Sequence, residues 1–546
     1  AGDILEHLSR HNFFIEKRLV PAVTYQYHPL FRKFLLVSAA REYSASTLCS
    51  LRCRAAKILE KHGMSEEAVN LYLQADAFEA VTPIILDMAP TLIAQGRTTI
   101  LSSWIDSLPA VNTAINPWLL FWKGLAQMIS NSPEGQDVCS KAFLLFKKNN
   151  ELIGQVLSWT AIVESFFLLR RAFTNLDRWI KEGERLGQLL SEDEHNPEIV
   201  GRFASSMLMA LLLRDMGHPA IKGLQNQCEE LLDHCHDIQV TCNILKNLFW
   251  SYHWFGQADK ALVTEIRLKA LQNSANLPAI VKLFFSVIFT LASITAGDHR
   301  QCLDRASQSL KISDETGIHV YDFMILAYRA YSLLSTGEVN QVQPTLATMQ
   351  KALMPFAVWD QAQYHFLFTW YGMLVGDLAQ AKKDMATTSR LLKSCGNPFT
   401  IALSRVLESQ LLLELGEEDQ VAGLLSSVLE EPKLGNSLLT QYLATLSLAD
   451  CAYARNQEEK GQQHLREAFV LARKHGSSMP FGLINKRVGA LCAKALDAGI
   501  EVDTVIDSIK RWHLQPPQPM MVSDRWPWPI RFYTLGQFTI HCHGKP

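Results

Sequence analysis

The chain has 546 residues, 48% of them hydrophobic, and a formal net charge of −2. That length is too great for one ordinary core, so a modular array or several domains is expected, and the balanced charge argues against a dedicated nucleic-acid groove, which needs clustered cations. Eleven cysteines, an odd number scattered through helical stretches, read as reduced core residues of a cytoplasmic protein, so folding is expected to depend on no disulfide.

Charge is unevenly spread along the chain. Residues 1–62 carry ten Lys and Arg against five Asp and Glu, and residues 511–546 carry four against one. The two basic ends are candidates for contact with an acidic partner, although a solvated surface is the more common origin of so small a surplus. The longest apolar run, near residues 283–296, is too short to span a bilayer and predicts a buried helix, so no membrane association is expected. The first residues lack the basic and hydrophobic pattern of a secretory signal.

At the start, Ile4-Leu5-Glu6-His7-Leu8, then Asn12-Phe13-Phe14-Ile15, then Tyr25-Gln26-Tyr27-His28-Pro29-Leu30-Phe31-Arg32-Lys33-Phe34-Leu35 predict a helix, a short β turn-back and a second helix. The Tyr-x-Tyr-His-x-Leu-Phe-Arg-x-Phe-Leu string resembles the end of the winged-helix segment that follows the nucleotide-binding module in signal-transduction ATPases of the MalT type, which are large LuxR-like transcription regulators. The similarity continues through Ala55-Ala56-Lys57, His62-Gly63, Glu67-Ala68, Ala75, Phe78-Glu79-Ala80, Gln95-Gly96-Arg97, Leu101 and Trp104-Ile105-Asp106-Ser107-Leu108-Pro109. In that family these are the helices leading into a superhelical arm. The chain contains no Gly-x-x-x-x-Gly-Lys-Ser/Thr string, so no phosphate-cradling loop is expected among these residues. ATP is implied for a parent protein only, and no cofactor is expected here.

A marker recurs about every forty residues beyond this segment: Gly135, Ala172, Gly217, Gly256, Gly297, Gly337, Gly376, Gly416 and Asn456, the last six spaced 41, 40, 39, 40 and 40. Pro278, Gly317, Pro355, Pro398, Gly435 and Pro480 divide each period into two segments of helical length. Five positions after each of the last six markers stands a small or short residue, Ala261, Cys302, Val342, Ala381, Val421 and Gly461, as close packing of paired helices requires. A two-helix unit of this size is stable only when stacked on its neighbours. The prediction is an all-α fold of tetratricopeptide-like two-helix repeats forming a right-handed superhelix, with a partial winged helix before it. A stretch rich in acidic residues, Glu192, Asp193, Glu194 and His195, predicts an exposed loop between Ser191 and Pro197.

At the other end, Gln515-Pro516-Pro517-Gln518-Pro519 predicts an extended linker. Residues 530–534 and the alternation of Phe538, Ile540 and Cys542 with Thr539, His541 and His543 predict two short strands with a bend at Leu535-Gly536. This Leu-Gly-x-Phe pattern resembles the first strands of the OmpR-type winged helix in activators of the SARP class. It implies that DNA is read only through residues beyond those present. The expected division is therefore 1–42 (end of a winged helix), 43–130 (linking helices), 131–510 (superhelical repeats), 511–529 (linker) and 530–546 (first strands of a DNA-binding domain).

Chemical motifs are scarce. There is no His-Glu-x-x-His, Gly-x-Ser-x-Gly or strand-end Gly-x-Gly-x-x-Gly, and no paired catalytic groups, so an enzyme is not expected. Cys228, Cys235 and Cys242 stand seven residues apart, about 10 Å along a helix, which suits a buried seam better than convergence on a metal. The inward positions of the first helix of each pair, projected from the marker glycines, are Asn243, Lys246, Trp250, His253 and Trp254. Arg214 with Asp215 precedes them, and Tyr331, Gln363, Phe366 and Trp370 follow; the intervening repeat offers Phe284, Val287, Leu291 and Ile294. Tryptophan beside amide and imidazole groups suits stacking on a sugar or ring, and the same residues at helical spacing also suit packing between helices. Two functions stand open. One is the sensor arm of an ATP-dependent activator, in which an inducer or regulatory protein controls homo-oligomerisation and DNA binding; the other is a scaffold that only organises protein partners.

Overall fold

The computed structural model describes all residues except 1, 12–13, 19–23, 192–195, 273–276, 477–479, 518–524, 535–537 and 543–546. The predicted loop at residues 192–195, the bend at Leu535-Gly536 and His543 therefore lie outside the described residues. Two compact units emerge from the chain, residues 1–92 with 99–115, and residues 93–98 with 116–546.

In the first unit, the helix Gly2–Arg10 precedes an antiparallel hairpin of Ile15–Arg18 and Thr24–Tyr27, in which Ile15 faces Tyr27 and Lys17 faces Tyr25. Glu6 joins helix to hairpin, accepting from Lys17 Nζ at 2.6 Å and from the Tyr25 hydroxyl at 2.5 Å. Pro29 then starts the helix Pro29–Glu42, whose fixed φ suits a first turn. Further helices follow, among them Ala45–Lys61, capped by Ser44, and the shorter Ser65–Leu73.

The second unit is built of helix pairs. From Ile238 onward the first helices are Ile238–Phe255, Ala279–Thr295, Asp322–Thr336, Val358–Val375, Pro398–Leu415 and Leu438–Ala454. The second helices are Ala258–Gln272, His299–Thr316, Val339–Ala352, Leu378–Cys395, Glu418–Leu429 and Glu458–His475. Each first helix ends at its marker residue in the left-handed region, with φ of 79° at Gly256, 72° at Gly416 and 57° at Asn456. The next amide closes the turn on the carbonyl five residues back, Gln257 on Tyr252 at 2.8 Å and Glu417 on Leu412 at 2.9 Å. This satisfies end carbonyls that would otherwise be unpaired, and glycine is favoured because no Cβ crowds the backbone there. Cys302, Val342, Ala381 and Val421 are fully buried at the close contact after each turn, and a Cβ on Gly461 would lie 2.7 Å from the Tyr453 ring.

The first three markers depart from this pattern. Gly135 lies inside the helix Glu134–Lys148, where a Cβ would meet the Gly124 carbonyl at 2.5 Å, so helix contact and not turn geometry requires it. Ala172 precedes a short 3₁₀ turn, and the left-handed end of the helix Leu152–Leu169 is Arg170, with φ 49°. Gly217 is also absent from the left-handed region and instead packs its bare Cα against the Pro432 carbonyl. Leu152–Leu169 is long and apolar enough by composition to cross a membrane, yet 67% of it is buried inside the array, as suits a core helix.

The repeat array also closes on itself. Carbonyls at the ends of first helices accept hydrogen bonds from groups that start first helices far along the chain. Trp359 N–H bonds Arg170 O at 3.1 Å, Asn397 Nδ2 bonds Leu213 O at 2.9 Å, Ser437 Oγ bonds Trp254 O at 2.7 Å and Asn485 Nδ2 bonds Ser335 O at 2.5 Å. The last three span 184, 183 and 150 residues. Asn397 also accepts from the Thr400 amide at 2.9 Å, so one buried side chain caps its own helix and ties down another. Beside the first joint, Arg170 pairs with Asp360 at 2.7 Å and donates to Val320 O at 2.5 Å, both side chains being almost fully buried.

The strands Ile530–Tyr533 and Thr539–Cys542 pair antiparallel, Phe532 facing Ile540 and Arg531 facing His541.

Candidate functional site

The joints place the inner faces of distant first helices against one another and leave a cavity of about 110 Å³ between them. Helix Ile238–Phe255 contributes Trp250, His253 and Trp254, helix Ala279–Thr295 contributes Leu291 and Ile294, and helix Asp322–Thr336 contributes Tyr328 and Tyr331. Gln363 and Phe366 come from Val358–Val375, and Phe399, Thr400 and Leu403 from Pro398–Leu415. Two stacked pairs wall it. Trp254 lies 4.8 Å from Phe399 at 12°, and Tyr331 lies 4.5 Å from Phe481 at 19°.

Electrostatically the cavity is neutral. Among the described residues, no Asp, Glu, Lys or Arg lines it. Burial, reinforced by the nearby His475, pushes the His253 imidazole down to about 3, so the ring is uncharged near neutral pH. Burial also drives the Tyr328 and Tyr331 phenols far above their ordinary value, keeping them as neutral hydroxyls. Trp250 is 4% exposed, and its Nε1 meets no acceptor among the described residues.

The predicted positions thus separate into groups. Trp250, His253, Trp254, Tyr331 and Gln363 converge on this cavity. Trp370, 1% exposed, stands behind it with its ring 5.3 Å from Tyr331, as wall support. Asn243 and Lys246 face a second cavity of about 260 Å³ that also touches Phe284, Glu164 and Arg202. There Lys246 is paired to Glu164, which also accepts from Asn247 and Ser206 at 3.0 Å each. Lys246 Nζ lies 5.6 Å from the centre of the Phe284 ring. Arg214 faces neither cavity. It grips Asp177 through two bonds of 2.6 and 2.9 Å, holds that carboxyl below its ordinary value, and donates to the Gly396 carbonyl. Asp215 accepts from the Gly217 amide at 3.1 Å in the turn that follows.

Trp359, Phe399 and Phe481 complete the cavity and were not predicted. Phe399 follows Pro398 at a helix start, which is legible locally, but no local pattern joins it to Trp254. Cys228, Cys235 and Cys242 are all buried, burial raising the Cys235 thiol to about 11 and the Cys242 thiol to about 12. His541 opposes Arg531 across the C-terminal strand pair.

A family model described as the MalT winged helix domain matches residues 1–47. Among solved structures, a Rap protein complexed with competence and sporulation factor is similar at 11% identity and a TM-score of 0.43, covering 60% of this chain and 92% of that one. The APC/C hetero-tetramer Cut9-Hcn1 is similar at 10% identity and a TM-score of 0.39, covering 91% and 98%. No curated protein matches the chain significantly. A winged-helix segment similar to that of MalT is thus followed by tetratricopeptide-like helical repeats.

Proposed function

We propose that this chain is the regulatory arm of an ATP-dependent transcriptional activator, acting in the cytoplasm and carrying no catalytic step of its own. An inducer held between distant first helices favours the closed array over looser arrangements, and that bias is passed to the parent's other domains, to homo-oligomerisation and to DNA binding. A ligand shifts such an equilibrium only through its differential affinity for the two states. The observation that carries the reading is the half-open aromatic cavity, whose walls come from helices joined across more than 180 residues. Occupation of that space contacts both sides of a joint at once. The MalT-like segment at residues 1–47 supports the regulatory context. ATP is assigned to a module outside these residues, as the similarity of residues 1–47 to the MalT winged helix domain implies. DNA contact is assigned to a domain that the strands Ile530–Tyr533 and Thr539–Cys542 would begin.

A second reading, a scaffold for protein partners, draws on Leu262, Val263 and Ile266, apolar side chains more than half exposed on the helix Ala258–Gln272. A thermal-shift screen of the chain against a metabolite library separates the two. The sensor reading expects a ligand whose stabilisation is lost in Ala362→Leu, which fills the cavity, and kept in Leu262→Ser. Stabilisation that survives Ala362→Leu, or the absence of any stabilising metabolite, removes that reading and leaves the scaffold.

A further inference from the structure

We infer that the second cavity, beside Lys246, binds a carboxylate carried on an apolar body. This cavity shares no lining residue with the aromatic one, so it adds a site to the array and does not depend on the sensor reading of the first.

The space is half-open and measures about 260 Å³. An apolar protein cavity of about 150 Å³ holds a benzene molecule, so there is room for a body larger than one ring, and the open side sets no upper limit on its length.

The walls are of two kinds. Phe121 and Leu125 come from helix Pro117–Ile129, Phe167 and Leu168 from Leu152–Leu169, and Val281 and Phe285 from Ala279–Thr295. Together they make an apolar surface that is stabilised by covering hydrocarbon. A polar stripe runs along helix Ile238–Phe255, where Gln239, Asn243 and Lys246 follow one another at four and three residues and therefore share a face. Arg202, which also lines the cavity, bonds the Asp237 that caps this helix and so lies at the start of the stripe.

The charges of the lining are unequally engaged. Among the described residues, the cations Lys246 and Arg202 line the cavity with a single carboxylate, Glu164. Three donors already occupy that carboxylate: Lys246 Nζ, and Asn247 Nδ2 and Ser206 Oγ at 3.0 Å each. The cations keep donors in reserve. An ammonium has three N–H groups and a guanidinium five, whereas Lys246 bonds Glu164 alone and Arg202 bonds Asp237 alone, at 3.0 Å, among the described residues. Asn243, one turn before Lys246, adds an amide on the same face.

Position couples the head to the body. Lys246 Nζ lies 5.6 Å from the centre of the Phe284 ring, where the polar stripe meets the apolar wall. Donors left over beside hydrocarbon suit a carboxylate, whose oxygens accept charge-assisted hydrogen bonds from ammonium, guanidinium and amide groups. An ammonium head would instead face two cations and a carboxylate that is already occupied, and burying a charge without a partner is costly.

The test uses the full chain and four probes titrated by calorimetry: octanoate, octanamide, octylammonium and acetate. Octanoate is expected to bind roughly threefold to thirtyfold more tightly than octanamide, the margin of a charge-assisted over a neutral hydrogen bond. Octylammonium should bind more weakly than both, and acetate, which lacks the apolar body, should be silent at the same concentrations. Ala161→Phe fills this cavity and should abolish octanoate binding, while Ala362→Leu, in the aromatic cavity, should leave it unchanged. Lys246→Gln combined with Glu164→Gln replaces the ion pair by amides and leaves no charge unpaired, so it should bring octanoate close to octanamide. Arg202→Gln alters a side chain nearer the surface; it should weaken octanoate, leave octanamide unchanged, and decide the matter if the paired variant folds poorly. Equal binding of octanoate and octanamide to the unaltered chain, tighter binding of octylammonium, a preference that survives both the paired change and Arg202→Gln, or failure of every probe to bind overturns the inference. Octanoate binding that is lost in Ala362→Leu and kept in Ala161→Phe also overturns it and puts the ligand in the aromatic cavity.

Discussion

The turns at Gly256 and Gly416 are built alike and used differently. Both hold glycine in the left-handed region, at φ 79° and 72°, and both close on a carbonyl five residues before the following amide. At Gly256 a Cβ would fall within the His475 ring, and the preceding Trp254 carbonyl is held by Ser437. At Gly416, as at Gly376, a Cβ would meet nothing within 4 Å. One signal in the sequence thus covers two kinds of turn, open ones that only reverse the chain and clasped ones that also join the array end to start.

The largest expected difference between the two lies in their ion pairs. Arg170→Ala at the first joint leaves Asp360 buried and uncompensated, and should cost about 3–5 kcal/mol in urea unfolding, most of it recovered by the double change Arg170→Met with Asp360→Leu. By contrast Lys382→Ala, beside an open turn and paired to the solvent-accessible Glu417, should cost no more than about 1 kcal/mol. Equal costs would erase the distinction.

Glycine substitution sharpens it further. Gly416→Ala should lose about 1 kcal/mol, the steric cost of left-handed backbone. Gly256→Ala bears the same cost and must also displace His475, so a loss above about 2 kcal/mol is expected by thermal or urea denaturation.

A third difference is one of pH. His253 beside the clasped turn has its folded-state value depressed to about 3 from 6.5, so the unfolded chain takes up the proton first as pH falls. Its contribution to stability is complete above pH 6.5 and is lost as the pH drops toward 3, amounting to roughly 2 kcal/mol between pH 6.5 and 5. His253→Gln should flatten the stability profile over that interval by this amount; an unchanged slope would place His253 in contact with water.

The local half of this architecture was legible in the sequence, and the reason is physical. Left-handed turns favour glycine, and crowded helix pairs favour small residues such as Cys302 and Ala381, so a period of forty residues records both. Inward positions such as Trp250, Trp254 and Tyr331 follow from the same register. Gly135 misled because glycine also serves close helix contact, a need that leaves the same letter without the turn. Lys246 and Arg214 show a different limit: their registers direct them inward, but Glu164 and Asp177, which engage them, lie in helices 82 and 37 residues away. The joints themselves left no periodic mark. Asn397 and Ser437 read as ordinary helix caps, and their second hydrogen bond depends on how many repeats complete the closure.

Native-state hydrogen exchange on the isolated chain tests that closure most directly. The Gln257 amide at a clasped turn and the Glu417 amide at an open one make the same local bond, at 2.8 and 2.9 Å. If the array closes, Gln257 exchanges only with unfolding of the whole array, roughly a hundredfold more slowly than Glu417, which opens locally. Similar exchange at the two turns would mean that the array does not close, and the aromatic cavity would lose its far wall.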